Sequence, residues 1–269
     1  MNIRADRESL AWMDGAVVRT ADATVPLADD GVLRGDGVFE TLLVHDGKLH
    51  ALDGHLSRLA RSADLLDIAV PDVSAPLGAL LDAYGPNDGI AKIVVMRGGT
   101  LRLVVSPPAP WPDTVRLDVQ PQPWGGLLAG AKTLSYAVNQ FSVRQAQKNG
   151  CDDALIVWDG QVRELAHGTI VLVEDGQLVS PDPAQNGILA SVTLDVLTSL
   201  MDVTFDVLSE NRLWSADELF VLSATRLAVG VSMLRFSDGA ERRLHAPGPV
   251  TTQAHDALVR HVAQHATRP

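Results

Sequence analysis

The chain has 269 residues, 46% of them hydrophobic, and a formal net charge of −11. This length allows one large or two small domains, and the acidic charge argues against a surface that coats nucleic acid. No apolar run approaches the roughly 18 residues of a membrane span, and the charged N-terminus lacks the apolar segment of a secretory signal. The single cysteine, Cys151, excludes an internal disulfide framework. We therefore expect a cytoplasmic protein without a nucleic-acid or membrane partner.

Asp-Gly dipeptides recur between apolar runs along the chain. Each is typical of a two-residue β-hairpin turn, because type I′ turns require two residues with positive φ. The pattern predicts a largely antiparallel sheet. The five dipeptides begin at Asp14, Asp46, Asp159, Asp175 and Asp238.

Helical periodicity interrupts these strands. Residues 53–67 place Leu56, Leu59, Ala63 and Leu66 on one face, which is the spacing of an amphipathic helix. Because strands and helices occur in separate groups, the sequence predicts an α+β fold rather than a doubly wound α/β fold. Further helices are predicted over residues 75–84, 136–148, 189–201 and 249–266.

A segment rich in Pro and Gly, residues 120–130, marks the predicted domain boundary. We expect a small N-terminal domain over residues 1–120 and a larger domain over residues 127–269. The strand that begins at Thr114 is interpreted as closing the first domain.

Several common motifs are missing from the sequence. It contains neither a G-x-S-x-G elbow nor a Walker A loop, and the glycines at 35 and 37 lack the third glycine of a dinucleotide fingerprint. His261 and His265 lie one helical turn apart, but no partner carboxylate is evident. A solvated helix face is therefore favoured over a metal site.

Lys132 stands out among the lysines because small and apolar residues surround it in the sequence AKTLSYAVN. A lysine in an apolar pocket loses solvation of its charged form and becomes a usable nucleophile and base. The alternative is a lysine whose stem packs while its amine reaches water. The other three lysines have ordinary surroundings: Lys48, Lys92 and Lys148.

Four further blocks accompany Lys132 in a fixed order. Residues 29–42 read DDGVLRGDGVFETL, residues 55–59 read HLSRL, residues 152–164 read DDALIVWDGQVRE, and NGIL at 186–189 precedes SAT at 223–225. From about Leu27 to Val231, this order resembles the fold-type IV pyridoxal-phosphate enzymes. These include branched-chain and D-amino acid aminotransferases and aminodeoxychorismate lyases. The resemblance implies a small N-terminal α/β sandwich, a larger C-terminal domain with a β-barrel-like core, and assembly as a homodimer.

The resemblance also implies roles around the cofactor, pyridoxal 5′-phosphate. Lys132 matches the lysine that forms the Schiff base, Arg58 matches the arginine on the phosphate, and Glu164 matches the carboxylate on the pyridine nitrogen. Thr169 stands where the family usually has Asn. Two turns match the phosphate-binding turns, and the first is expected to open a helix whose N-terminal amides suit an anion. The matching residues in these turns are Ile188, Leu189, Ala224 and Thr225.

The blocks most resemble those of the aminodeoxychorismate lyases, which release pyruvate from 4-amino-4-deoxychorismate and yield 4-aminobenzoate for folate biosynthesis. The substrate would be a small anionic amino compound with two carboxylates, which arginine forks suit. Arg34, Arg97 and Arg102 are the candidates to bind them. For Arg34 the alternative is an ion pair with Asp30 or Asp36. Thr41 is a candidate for assisting proton transfer.

Two other functions remain open from the sequence. A D-amino acid or branched-chain aminotransferase would return the proton to the cofactor and would depend on a keto acid. A non-enzymatic binding protein on the same fold would show no visible cofactor absorbance. The family's first block has Arg and an aromatic residue where this chain has Asp30 and Arg34, and Leu189 replaces a hydroxyl residue.

Overall fold

The computed structural model describes residues 8–108 and 110–269. The chain separates into two compact units. Unit 1 comprises Met1–Pro110, Ala131–Ser135 and His261–Pro269, and unit 2 comprises Trp111–Gly130 and Tyr136–Arg260. Each unit combines helices with a sheet, so the predicted α+β class is confirmed. Within the described ranges, no helix has the length and apolar character needed to cross a membrane.

Unit 1 contains a six-stranded antiparallel sheet packed against helices. In spatial order the strands run β2-β1-β6-β5-β3-β4. Its core joins apolar side chains of the sheet to those of the two longer helices, such as Leu59 and Leu77. The elements are β1 (Leu10–Met13), β2 (Ala16–Arg19), α1 (Asp30–Leu33), β3 (Gly37–His45), β4 (Lys48–Leu49), α2 (Leu52–Leu65), α3 (Ser74–Tyr84), β5 (Gly89–Met96) and β6 (Leu101–Ser106).

Unit 2 contains a mixed nine-stranded sheet that curls into a half-barrel, as the prediction of a barrel-like core implied. In spatial order the main strands run β12-β11-β10-β13-β14-β7-β8-β9, and β15 pairs with β14. The elements are β7 (Thr114–Pro121), α4 (Ala137–Lys148), β8 (Asp153–Trp158), β9 (Gln161–Leu165), β10 (Thr169–Glu174), β11 (Gln177–Pro181), α5 (Pro183–Asn186), α6 (Val192–Thr198), β12 (Val203–Asp206), α7 (Arg212–Ser215), β13 (Glu218–Ser223), β14 (Leu227–Arg235), β15 (Glu241–Arg243) and α8 (Pro249–His265).

Two local predictions are corrected by the structure. The strand β7 does not close the first domain, because it pairs in parallel with β8 and β14 in the sheet of unit 2. The helix predicted over 189–201 begins later, at Val192 in α6, because the Ser191 side chain caps it by accepting from the Leu194 N–H at 3.2 Å. Ile188 and Leu189 therefore lie in the connection between α5 and α6 rather than at a helix N-terminus.

The Asp-Gly hairpins are confirmed. All five dipeptides join antiparallel neighbours. In four of them both residues have positive φ, as a type I′ turn requires. In the fifth only Gly239 has positive φ, and the turn between β14 and β15 is longer.

Within unit 1, the C-terminal segment pairs with β4 beside two histidines, His50 and His261. Leu49 and Thr267 exchange backbone hydrogen bonds of 2.7 and 2.9 Å. Next to them, Nε2 of buried His50 lies 2.9 Å from Nδ1 of His261. The ring of His261 in turn stacks on that of His265 at 4.2 Å between centroids. Burial lowers the pKa of His50 to about 4, and His261 adds to this effect. Burial also lowers the pKa of His261.

This histidine pair should make the fold sensitive to mild acid. In the unfolded chain His50 takes up a proton near its ordinary pKa of 6.5, whereas in the folded chain it does so only near 4. The unfolded state therefore binds more protons in this window, and stability falls as the pH falls. We expect the free energy of unfolding to drop by about 2 kcal/mol between these pH values. Urea denaturation across the window measures it. His50→Phe should flatten the pH dependence, whereas His245→Asn, at an exposed position, should not. An unchanged slope in His50→Phe would contradict the assignment.

Candidate active site

Lys132 lies in a short segment that is bonded to β3 and α2 of unit 1. Its carbonyl accepts the Phe39 N–H at 3.0 Å, and its own N–H donates to the Ser62 Oγ at 3.0 Å. The next residue, Thr133, forms a β-bridge with Val38. The half-buried Lys132 side chain extends over the Phe39 ring, with Nζ 4.4 Å from the ring centroid. The backbone of Lys132 and of its neighbour Thr133 is thereby fixed, which favours a defined position for the Lys132 side chain.

Arg58 of α2 is buried and paired with a carboxylate of β3. Its Nε donates to Oε1 of Glu40 at 2.7 Å, and its Nη2 donates to Oε2 at 2.8 Å. His55 Nδ1 lies 2.8 Å from the same Oε2. Burial alone would raise the pKa of Glu40, but the hydrogen bonds from Arg58 and His55 outweigh it and lower the pKa to about 2. Burial is the largest influence on His55 and lowers its pKa, although Glu40 opposes this.

These side chains form a polar stripe on α2 that apolar periodicity did not reveal. His55, Arg58 and Ser62 follow the i, i+3, i+7 spacing of one helix face, and all three are buried. The predicted apolar face is confirmed, because Leu59 and Ala63 are buried in the core and Leu56 and Leu66 pack against it. The sequence motifs predict a role for Arg58 but none for Glu40, His55 or Ser62. The available signal was their helical spacing and the position of Glu40 in the first block.

Glu164 lies on β9 of unit 2 at an irregularity of the strand pairing. Leu155 pairs with Leu165 and Val157 pairs with Val162, so β9 has one extra residue in this interval. A bulge of this kind redirects side chains. The half-buried Glu164 accepts a hydrogen bond of 2.8 Å at Oε1 from the Trp124 indole. The segment predicted as a domain linker thus supplies a direct partner of Glu164.

The turn at 186–189 is bonded to the same strand. Arg163, the neighbour of Glu164, donates from Nη1 to the Asn186 carbonyl at 2.9 Å. Gly187 adopts the left-handed conformation that ends α5, with φ 57°. Ile188 follows as a buried residue, and Leu189 is half-buried. This turn and the strand of Glu164 are therefore held together within unit 2.

The second predicted turn connects β13 to β14 and is anchored by Arg226. This arginine donates from Nη2 to buried Asp153 at 2.8 Å, and from its backbone N–H and Nε to Ser223 Oγ. Its guanidinium also lies 4.8 Å from the ring centroid of Trp111. The half-buried residues Ala224 and Thr225 lie inside this turn. Buried Thr169 pairs in register with Leu222, at the strand end that enters the turn.

Arg34, a candidate for substrate binding, forms an ion pair with Asp30 one helical turn earlier. These are the two positions at which the first block departs from the family pattern, so the departures compensate each other in charge. The Arg34 side chain nevertheless stays 68% exposed, which leaves it accessible to a ligand.

The other two arginines are also bound by acceptors within unit 1. Arg97 pairs with Asp36 and donates to the carbonyls of Leu66 and Asp67. Arg102, whose side chain is only 10% exposed, pairs with Asp14 at 3.0 Å and donates to the carbonyls of Thr24 and Leu101. The structure gives these two arginines structural partners. Half-buried Thr41 lies two residues beyond Phe39 on β3, and strand alternation places both side chains on one face.

The chemical groups present suit a phosphorylated aldehyde cofactor. An amine on a fixed backbone, Lys132, can condense with an aldehyde. A carboxylate oriented by an indole, Glu164, can hold the proton of a pyridine nitrogen. A buried guanidinium, Arg58, and the hydroxyl of Thr225 are donors that phosphate accepts. Nothing in this set requires a metal ion.

Comparison with known proteins gives consistent matches. The family model described as amino-transferase class IV matches residues 37–234. A bifunctional aminodeoxychorismate lyase / D-amino acid transaminase from Mycobacterium tuberculosis is 30% identical, and the alignment covers 82% of this chain and 90% of that protein. The fold IV-transaminase CpuTA1 from Curtobacterium pusillum superposes with a TM-score of 0.83 at 27% identity, covering 94% of this chain and 99% of that one. A hypothetical aminotransferase from Mycobacterium tuberculosis in its PLP-bound form gives 0.81 at 27% identity, covering 95% and 99%.

Proposed function

Because this chain belongs to the class IV aminotransferase family, we propose that it is a pyridoxal-phosphate enzyme that converts 4-amino-4-deoxychorismate to 4-aminobenzoate and pyruvate. The observation that carries the proposal is the position of Lys132. Its amine lies over the Phe39 ring, and its backbone carbonyl and N–H are hydrogen-bonded to Phe39 and Ser62. The choice of lyase is supported by the four ordered sequence blocks and by the name of the bifunctional relative.

When bound, pyridoxal 5′-phosphate withdraws electrons from the substrate carbon that loses its proton. Lys132 is the residue that would hold the cofactor aldehyde through its amine, and a substrate amine would compete with it for this position. The free Nζ of Lys132 then removes the proton from the carbon that bears the substrate nitrogen. Its fixed backbone keeps the amine within reach during both steps.

Glu164 keeps a proton on the pyridine nitrogen in this proposal. Its Oε1 is held by the Trp124 indole at 2.8 Å, so the carboxylate is already oriented before the cofactor binds. Our candidates to bind the phosphate group are Arg58 in unit 1 and, within unit 2, Thr225 and the turn that contains Ile188 and Leu189. Arg34 remains our candidate for a substrate carboxylate, because it is the most exposed of the three arginines.

Transamination of a D-amino acid is the second candidate, and the relative's name favours it as well. Both reactions begin with proton removal by Lys132 and differ afterwards. In the lyase reaction the leaving group departs from the β-position, and formation of an aromatic ring drives the reaction. In transamination the proton would instead be returned without loss of a leaving group, and a keto acid would be released.

One assay separates these candidates. Purified protein is supplied with 4-amino-4-deoxychorismate, without any keto acid, and 4-aminobenzoate and pyruvate are measured. We expect both products in equal amounts and over many turnovers. The contrary result is that 4-aminobenzoate does not form, whereas D-alanine and 2-oxoglutarate are converted to pyruvate and glutamate. The protein is then an aminotransferase and the lyase proposal is wrong. If neither reaction occurs and the protein shows no cofactor absorbance, a binding role is favoured.

A further inference from the structure

Three buried side chains connect α2 to β3: Glu40, His55 and Arg58. Their hydrogen-bond geometry is more specific than a simple ion pair requires. Two parallel hydrogen bonds join the Arg58 guanidinium to the Glu40 carboxylate, and His55 adds a third to Oε2 at 2.8 Å. A fork of this kind fixes both the distance and the plane of the guanidinium. The exposed fractions are 0% for Glu40, 2% for His55 and 7% for Arg58.

Burial makes this arrangement rigid. An ionised carboxylate without solvent access must keep its hydrogen-bond donors, because an unpaired buried charge is strongly unfavourable. Arg58 therefore cannot rotate away without leaving Glu40 uncompensated. His55, on the same helix, limits the movement of the Glu40 carboxylate in turn. The guanidinium is oriented before any ligand binds, so a ligand does not lose free energy by ordering it.

The same helix face also contacts the segment of Lys132. Ser62, one turn beyond Arg58 on α2, accepts the Lys132 N–H at 3.0 Å. Phe39, adjacent to Glu40 on β3, lies under the Lys132 amine. Direct contacts within unit 1 therefore connect the Arg58 guanidinium to Lys132, the proposed cofactor-binding lysine. On β3 these contacts involve Phe39 and Glu40, and on α2 they involve the polar stripe.

We infer that Glu40 and His55 are positioning residues that hold Arg58 in the orientation in which it binds the cofactor phosphate. This inference rests on the proposed role of Arg58 in cofactor binding. Neither residue needs to touch the cofactor. Their effect should be restricted to ligands that carry a phosphate, which a purely structural ion pair would not produce.

The test compares pyridoxal 5′-phosphate with pyridoxal, which has the aldehyde but no phosphate. Cofactor is removed from the full-length protein, and the dissociation constant of each ligand is measured by visible absorbance. The variants are Glu40→Gln, Arg58→Met and His55→Phe. The matched control is Asp88→Asn, because Asp88 pairs with His45 at 2.9 Å near the other end of β3, where the pair is more exposed.

We expect Glu40→Gln to weaken pyridoxal 5′-phosphate binding by about tenfold or more, the loss of one charge-assisted hydrogen bond, and to leave pyridoxal binding unchanged. His55→Phe keeps the Glu40–Arg58 pair intact and should weaken phosphate-dependent binding several-fold. It also provides the decisive measurement if Glu40→Gln does not fold. Asp88→Asn should change neither constant.

The outcomes separate the inference from the role of Arg58. If Arg58→Met weakens only pyridoxal 5′-phosphate binding while Glu40→Gln and His55→Phe do not, the positioning role is wrong and the role of Arg58 stands. If Arg58→Met leaves the ratio of the two constants unchanged, both ideas are wrong. Tighter binding of pyridoxal 5′-phosphate by Glu40→Gln would show that Glu40 competes with the phosphate, which overturns the inference.

Discussion

Replacement of Lys132 by alanine should abolish turnover and the visible absorbance of the bound cofactor together. The same amine is proposed to bind the cofactor aldehyde and to remove the substrate proton, so one substitution removes both a nucleophile and a base. We expect kcat to fall at least about 10⁴-fold, measured as product formation with saturating cofactor. Because the Lys132 backbone N–H and carbonyl make the contacts to Ser62 and Phe39, the variant should keep its fold.

Lys48→Ala is the matched control, because Lys48 is exposed on the two-residue strand β4. It should keep the wild-type absorbance and activity. Borohydride reduction of the wild-type protein followed by peptide mapping should place the cofactor on Lys132. A label on Lys48, Lys92 or Lys148 would contradict the assignment, and so would full absorbance in the alanine variant.

The parts of the fold that the sequence predicted well are those determined by local interactions. A type I′ turn requires positive φ at its two central residues, and the structure has this at the Asp-Gly pairs that begin at Asp14, Asp46, Asp159 and Asp175. The long helices α2, α3, α4 and α8 lie where apolar periodicity predicted them, with ends shifted by one or two residues.

The errors involve partners that are distant in the sequence. Proline content suggested that β7 ends the first domain, but its position is determined by pairing with β8 and β14, the latter more than 100 residues later. Nothing in the sequence of β7 itself specifies these neighbours. The late start of α6 has a different cause: apolar periodicity extends back to residue 189, but the capping hydroxyl of Ser191 sets the first helical residue at Val192.

The candidate site shows the same contrast. The resemblance identified Lys132, Arg58 and Glu164, but apolar periodicity did not reveal that Arg58 is buried. Its burial depends on Glu40, which is 18 positions earlier and on another element. The ion pair of Arg34 with Asp30 was one of two alternatives from the sequence, and the structure shows that pair. Its effect on substrate binding stays a prediction.

The second large effect is expected on the free energy of unfolding, when one partner of the buried pair of Arg58 and Glu40 is removed. Arg58→Met should lower the free energy of unfolding by about 3–5 kcal/mol at neutral pH, because it leaves an ionised carboxylate buried without its main donor. With Arg58 in place Glu40 is ionised at neutral pH, since its pKa in the folded chain is about 2; without Arg58 it must either stay charged with His55 as its remaining donor or take up a proton. Urea denaturation of cofactor-free protein measures this loss without a contribution from cofactor affinity.

The double variant Glu40→Gln/Arg58→Met removes both charges and should recover part of the loss. If the two groups stabilise each other, the double variant is more stable than the sum of the single changes predicts, by at least about 2 kcal/mol. The control cycle uses Arg116 and Asp152, which are 2.9 Å apart but 49% and 31% exposed. Solvent screens that pair, so its coupling should be about 1 kcal/mol or less. Equal coupling in the two cycles would mean that burial does not strengthen the Glu40–Arg58 pair. The restricted orientation of Arg58 would then lose its physical basis, because a guanidinium that exchanges its partner as easily as a surface arginine is not oriented before the ligand binds.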